Sequence, residues 1–563
     1  MIDTWFGDPE SPTLGFLHIP EGGSARGGVV LCPPLGHEQV IAYRAMRFLG
    51  QTLAANGVAA LRFDYLGEGD ASGASAAEDS VERWLASIRA AVQYLKDSGV
   101  ERIALVGLTS GALLAAEALR TLDDISGLVL WDPALSGRRF LRRQRSIHDL
   151  AVGKVSEPTP ERVALLSLTI HGRTAEWLES TEITAASLAA SGVETLLVGR
   201  ASDAANSATT KLLAALPSTV EYRSVTGQEA LLDVASSIAE IPAGTIESIA
   251  SWLRNRFPVT TRPVTATVRT EAVVGITADG HPIIERLSRF GPERLFTIET
   301  ATSFPAGVPD SRGVVIMQPA AAEHRIGPGR FQVDAARELA ERGYRAVRFD
   351  RRISGDTTEV VAAEPNMVLA KEWVEDAAAL TTAYAHGSPI ALVGLCSGAW
   401  VSARIAERTE ARLTVLLDIN YYRTTPLAPG EYAQRARMDQ HGEPQLGRFR
   451  HRLREIIPGW LWRAMSFTQV FNDPTQLLSP PTRVPGSTIA LLLTPEDEAV
   501  FVKNKGADAV ARLRERGGDI RITTYDFGDH ALFGDGVRAA IMQDTIALVE
   551  SSIPARPVPA LQS

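Results

Sequence analysis

The sequence predicts an α/β fold class: two tandem domains, each a mostly parallel sheet flanked by helices, the second with a helical cap insertion. Three observations carry that prediction. At 563 residues the chain is longer than a single ordinary core sustains. Residues 103–112 read Ile-Ala-Leu-Val-Gly-Leu-Thr-Ser-Gly-Ala and residues 390–399 read Ile-Ala-Leu-Val-Gly-Leu-Cys-Ser-Gly-Ala, so nine of ten positions agree. Such self-similarity marks a duplicated unit. Within each copy short apolar strands alternate with amphipathic helices, and that alternation builds a parallel sheet covered on both faces.

The elements recur in order. An apolar strand at 29–31 matches one at 314–317, and the helix after each ends near a glycine, Gly57 or Gly343. A second strand follows at 59–63 and at 346–349, inside two longer matching blocks at 53–64 and 339–350. Another helix then leads to the decapeptide strand, which lies about 285 residues apart in the two copies. The helix ending near Trp252 and Pro258 closes the first copy, so the domains are read as 1–258 and 259–563, with 259–263 short in helix formers. The second domain opens on a hairpin whose turn is supplied by Asp279-Gly280.

Hydrophobic residues make up 45% of the chain and charged residues 22%, the profile of a soluble globular protein. A net charge of −9 repels phosphate backbones, so no nucleic acid is expected as a partner. The N-terminus is acidic with no apolar run behind a basic stretch, and no segment approaches the roughly 18–20 apolar residues that span a bilayer. No membrane association and a cytoplasmic location are the expectations. The only cysteines, Cys32 and Cys396, read as reduced thiols. With no spaced His and Cys cluster and no phosphate-binding Gly-x-x-x-x-Gly-Lys element, neither a metal nor a cofactor is expected.

Gly394-Leu395-Cys396-Ser397-Gly398, entered by a strand and left by a helix, is the pattern of a nucleophile elbow. Its turn is tight enough to strain the central residue and to exclude side chains at both glycines. Shifting the frame to make Ser397 central would place Leu395 and Ala399 where glycines are required, so the nucleophile is assigned to Cys396. Ser397 is expected to give its backbone N–H to the oxyanion hole, with Ala320, after Pro319 in the loop following the first long strand, as second donor. In the α/β hydrolases that carry this elbow, an acid and then a histidine follow the nucleophile, each just after a later strand. The strand at 487–494 runs into Pro495-Glu496-Asp497-Glu498, and the strand at 520–526 is followed by Gly528-Asp529-His530. His530 is therefore the expected base and Asp497 the acid that fixes its tautomer, with Glu496 and Glu498 as competitors for the acid's role.

The first copy places Thr109 at the centre of Gly107-Leu108-Thr109-Ser110-Gly111. A β-branched residue suits a positive-φ position poorly, so a relaxed turn is expected there. No histidine lies between His171 and His281, where a base would have to be, and the corresponding loop reads Thr226-Gly-Gln-Glu-Ala230. The first domain is thus read as catalytically inactive, with His37 as the one histidine that another loop could bring in.

These residues carry a family resemblance. Leu31-Cys-Pro-Pro-Leu-Gly-His-Glu38, Leu61-Arg-Phe-Asp-Tyr-Leu-Gly-Glu-Gly-Asp70 and Leu130-Trp-Asp-Pro133 resemble the small α/β hydrolases related to serine aminopeptidases. The second copy resembles a neighbouring branch of that superfamily through His324-Arg-Ile-Gly-Pro328, Arg348-Phe-Asp350, the Gly-Leu-Cys-Ser-Gly-Ala elbow and Gly528-Asp-His530. It departs from the pattern at Asp350-Arg-Arg-Ile-Ser-Gly-Asp356, where two arginines stand in a loop that is usually smaller. In this fold, an insertion such as 419–481 usually forms a cap over the active site. It contains Tyr421, Tyr422 and a basic, aromatic run with Arg448, Arg450, Arg452 and Arg454, which reads as a solvated helix face or as a docking surface for an anionic substrate or acidic carrier.

The function expected is hydrolysis of an ester or thioester through an acyl-cysteine on Cys396. The rival within the same chemistry is an acyltransferase or cyclase that passes the acyl group to an amine or hydroxyl, because a thioester intermediate is readily attacked by both. The partner is a small-molecule acyl substrate, free or carrier-protein bound, and the sequence leaves a homo-oligomer open. A non-catalytic scaffold is the reading from another class, and the order and placement of Cys396, Asp497 and His530 argue against it.

Overall fold

The computed structural model describes residues 1–153, 161–202, 207–302, 311–321, 323–364, 367–428, 430–431 and 473–554. The chain divides into two compact units, Met1–Gly275 with Glu285–Leu287 and Glu359–Glu364, and Ile276–Ile284 with Ser288–Thr358 and Pro365–Ser563.

The first unit holds an eight-stranded sheet in the order Ile2–Asp8, Ser11–His18, Ala59–Phe63, Gly28–Cys32, Ile103–Leu108, Ile125–Trp131, Thr195–Arg200, Val220–Val225. The first two strands pair antiparallel, and everything from Ala59–Phe63 onward is parallel. The apolar runs exist because both faces of these strands are covered. Along Gly28–Cys32, Val29 and Leu31 pack on one side with Met46, Leu49 and Trp252, while Val30 and Cys32 pack on the other with Trp84, Leu105 and Leu113. Each such side chain contributes about 1.5–3 kcal/mol by leaving water.

A second, nine-stranded sheet repeats the plan with one more strand, in the order Glu271–Ile276, Pro282–Phe290, Leu295–Thr302, Arg345–Phe349, Val314–Gln318, Ile390–Leu395, Leu413–Leu417, Thr488–Leu493, Asp519–Thr524. The six strands from Arg345–Phe349 onward are parallel. Val314 and Ile316 face one core and Val315 and Met317 the other, as the period of two demands. The expected turn at Asp279-Gly280 lies between the first two strands, closed by Thr277 N–H donating to His281 O at 2.8 Å. In both units the strand after the first crossover (59–63, 345–349) sits outside its predecessor, which leaves the elbow strand beside Gly28–Cys32 or Val314–Gln318 at the sheet's centre.

Of the expected cap, 432–472 lies outside the described residues, including Arg448, Arg450, Arg452 and Arg454. Its described ends contain the helix Pro474–Thr482 and a buried Tyr422 whose hydroxyl donates to Ile419 O at 2.7 Å. Among the described residues no helix is long and apolar enough to cross a membrane, and no cluster of His, Cys, Asp and Glu could hold a metal ion.

Candidate active site

Cys396 joins the central strand Ile390–Leu395 to the helix Ser397–Ile405 with φ 53° and ψ −113°. The two glycines are required sterically. A Cβ on Gly394 would lie 2.3 Å from the Gly398 carbonyl, and one on Gly398 would lie 2.5 Å from Gln318 O. The turn is pinned by Cys396 N–H donating to Leu417 O at 2.9 Å and by Trp400 N–H donating to Cys396 O at 3.2 Å. Ser397 points its hydroxyl at the loop after Val314–Gln318, accepting from Ala321 N–H at 2.7 Å. The N–H groups of Ser397 and Ala320 have no hydrogen-bond partner among the described residues.

His530 follows the last strand of the sheet. Its Nδ1 lies 2.8 and 2.9 Å from the two oxygens of Asp497, which sits in the first turn of helix Pro495–Lys503 with its side chain 1% exposed. Thr494 adds a hydroxyl donor to Asp497 at 3.1 Å. Of the three neighbouring acids only Asp497 points inward: Glu496 is exposed and Glu498 half-buried, and neither meets His530. The Cys396 side chain also acts electrostatically on the imidazole. Burial pulls the His530 pKa down, but the charges of Cys396 and Asp497 and the hydrogen bond to Asp497 outweigh that and push it up to about 12.

The same elbow recurs in the first unit, in the strand–helix order that α/β hydrolases use. The sequence profile of the family described as serine aminopeptidase, S33, matches residues 24–190, which contain it. That match covers the first unit's elbow and does not reach Cys396. Solved structures similar to this chain include Est1E from Butyrivibrio proteoclasticus, at 16% identity over 46% of this chain and 99% of that one with a TM-score of 0.34. Proline iminopeptidase from Mycobacterium smegmatis matches at 13% identity over 45% and 98% with a TM-score of 0.31. Mouse alpha/beta hydrolase domain-containing protein 10 matches at 15% over 47% and 98% with a TM-score of 0.29. No curated protein matches the chain.

In the first unit the relaxed turn expected at Thr109 does not form. Thr109 has φ 48° and ψ −112°, within a few degrees of Cys396. A Cβ on Gly107 would lie 2.4 Å from Gly111 O, and one on Gly111 the same distance from Cys32 O, so strand and helix can join only through the sharp turn. Thr109 N–H is anchored to Trp131 O at 3.1 Å, and Ser110 Oγ accepts from Leu35 N–H at 2.9 Å. The surrounding frame thus overrides the central residue's own preference. What surrounds Thr109 differs from the Cys396 site. The buried Glu38 carboxylate approaches it and is held by Gln144 at 2.8 Å and Arg143 at 3.2 Å. Arg143 continues to Asp233 at 2.7 Å, and Arg200 grips Asp132 through bonds of 2.8–3.0 Å. Gln228 lies buried in the loop where a base would be needed, and His37 is desolvated until its pKa falls to about 4.

Four residues around Cys396 and His530 are absent from the sequence reading as site residues. Asn420 brings its amide nitrogen to 3.3 Å from His530 Nε2. Asp418, wholly buried at φ 43°, accepts from Thr494 N–H at 2.7 Å, and burial with the neighbouring charge of Asp497 pushes its carboxyl up to about 7. Glu323 and Arg351 interact electrostatically with His530 and Cys396 respectively, and with each other. Burial pushes the Glu323 carboxyl up to about 7 against the pull of those two cations.

Proposed function

We propose that the second unit is an acyl hydrolase of esters or thioesters that works through an acyl-cysteine. The observation that carries this reading is the His530 ring, held at Nδ1 by both oxygens of Asp497 and coupled electrostatically to the Cys396 side chain. With Nδ1–H given to Asp497, Nε2 keeps the proton of the Cys396–His530 pair, and Sγ attacks the substrate carbonyl carbon as the thiolate. In this reading the oxyanion of the tetrahedral intermediate is met by the N–H groups of Ser397 and Ala320, which carry no hydrogen bond among the described residues. Collapse expels the alcohol or thiol, which leaves with the proton from His530, and Cys396 carries the acyl group. Water, deprotonated by His530, then attacks the thioester and releases the acid, and Cys396 leaves as the thiolate beside the protonated ring.

The first unit is the non-catalytic partner in this proposal. Thr109 lies against a carboxylate fixed in an ion-pair network and has no histidine to activate it. The test is thioester hydrolysis by three variants. Cys396→Ala and His530→Ala should each lose roughly three orders of magnitude or more, as residues acting as one unit do, while Thr109→Ala stays within a few fold. A Thr109→Ala variant as inactive as Cys396→Ala would move catalysis to the first unit.

A further inference from the structure

The loop that departs from the family pattern in sequence, Asp350 to Asp356, lines the Cys396 site. Its backbone is that of the matching loop in the first unit. Asp350 accepts from Asp356 N–H at 2.8 Å just as Asp64 accepts from Asp70 N–H at 2.9 Å, and Gly355 and Gly69 each bring the chain against that aspartate. The residue after the aspartate is therefore equivalent in the two copies. In the first unit it is Tyr65, which donates to Pro33 O at 3.1 Å. In the second it is Arg351.

The Arg351 side chain is 2% exposed, its guanidinium carbon 4.1 Å from the centre of the Trp373 ring. Its Nη1 donates to Ser397 Oγ at 3.2 Å, which places the group beside the elbow, and it interacts with the Cys396 side chain. Nε and Nη2 have no hydrogen-bond partner among the described residues. Those two nitrogens form one edge of the guanidinium, two parallel N–H donors at the spacing of a carboxylate's oxygens. No carboxylate among the described residues lies within ion-pair distance of it; Glu323, the nearest in its field, leaves its own Oε2 unpartnered. A buried cation whose bidentate edge no carboxylate engages is an unfinished pair.

We infer that the acyl group this hydrolase takes carries a second carboxylate a few atoms from the scissile carbonyl, which docks on the Nε–Nη2 edge of Arg351. A monoanion suits the site better than a phosphate, because Glu323 would repel the second charge. The inference rests on the hydrolase reading for its substrate but not for its binding site, and the experiment separates the two. Succinyl and glutaryl thioesters of N-acetylcysteamine are compared with butyryl and pentanoyl thioesters on wild type, Arg351→Met and Arg351→Lys. Binding of succinate and glutarate to Cys396→Ala, with and without Arg351→Met, is measured by calorimetry.

Wild type should favour the carboxylated acyl groups by at least about 100-fold in kcat/KM, because a site built for a polar group rejects the analogue that lacks it. Arg351→Met should abolish that ratio whatever its absolute rate, and Arg351→Lys, which keeps the charge without the fork, should lose most of it. Cys396→Ala should bind the free dicarboxylate and lose binding with Arg351→Met. Equal ratios in wild type and Arg351→Met, or no binding by Cys396→Ala, would overturn the inference while leaving hydrolysis of neutral thioesters to stand. Dicarboxylate binding that needs Arg351 in a protein that cleaves none of the four thioesters would support the site and count against the hydrolase reading.

Discussion

Replacing Asp497 with asparagine removes one charge from the centre of the proposed triad while keeping its shape. Asp497 meets Nδ1 of His530 with both oxygens at 2.8 and 2.9 Å, which puts the centres of the two groups about 4 Å apart. The carboxylate side chain is 1% exposed and the imidazole 27%, so screening is intermediate and an effective dielectric near 20 is appropriate. At that value a unit pair about 4 Å apart is worth about 4 kcal/mol. The imidazolium paired with the Cys396 thiolate loses that stabilisation, which at about 1.36 kcal/mol per factor of ten is about a 1000-fold fall in kcat. The amide can also donate to Nδ1, which would leave Nε2 carrying the proton and unable to accept the thiol's. Steady-state thioester hydrolysis of Asp497→Asn beside Glu496→Gln and Glu498→Gln measures this. An Asp497→Asn enzyme within tenfold of wild type, with either glutamine variant inactive, would refute the assignment of the acid.

Three further outcomes follow from the same geometry. Brief iodoacetamide treatment of folded protein should alkylate the half-buried Cys396 and spare Cys32, which is fully buried and whose thiol burial pushes up; peptide mass mapping reads the sites, and the reverse order would contradict the nucleophile assignment. Glu323, with its carboxyl raised from 4.5 to about 7, binds its proton more tightly folded than unfolded, so its protonated form stabilises fully below about pH 4.5 and that stabilisation fades as pH rises through about 7. The melting temperature of Glu323→Gln should therefore fall less than that of wild type from pH 4.5 to pH 8, and parallel curves would show that Glu323 does not titrate there. Hydrolysis as the main outcome means that free acid remains the dominant product when a panel of amines and alcohols is supplied at millimolar concentration, whereas substantial acyl transfer would make the enzyme an acyltransferase.

The decapeptide repeat made both sheets legible, because a strand buried on two faces has to be an apolar run and the elbow glycines leave little freedom in sequence. Cys396, Asp497 and His530 were legible for a related reason: each sits at the end of a strand, at a place the topology fixes in chain order. Asn420, Asp418, Glu323 and Arg351 were not. They reach the site from loops, and nothing local in Asn420 or Glu323 tells which way the loop aims it. Arg351 left a trace, an arginine pair in an otherwise repeated loop, but its burial against Trp373 depends on a contact between distant positions. At Thr109 the local argument failed outright, since residue preference was weighed without the two glycine contacts that force the backbone.

The account turns on whether an acyl group is ever covalently held by Cys396. Rapid-quench mass spectrometry of the intact protein with a slow acyl thioester, followed by peptide mapping, measures that directly. The predicted result is one acyl adduct per chain on the peptide containing Cys396, formed within a turnover, absent from Cys396→Ala and persistent in His530→Gln if it forms there. An adduct on a peptide containing Thr109, or undiminished turnover by Cys396→Ala with no adduct anywhere, would contradict it.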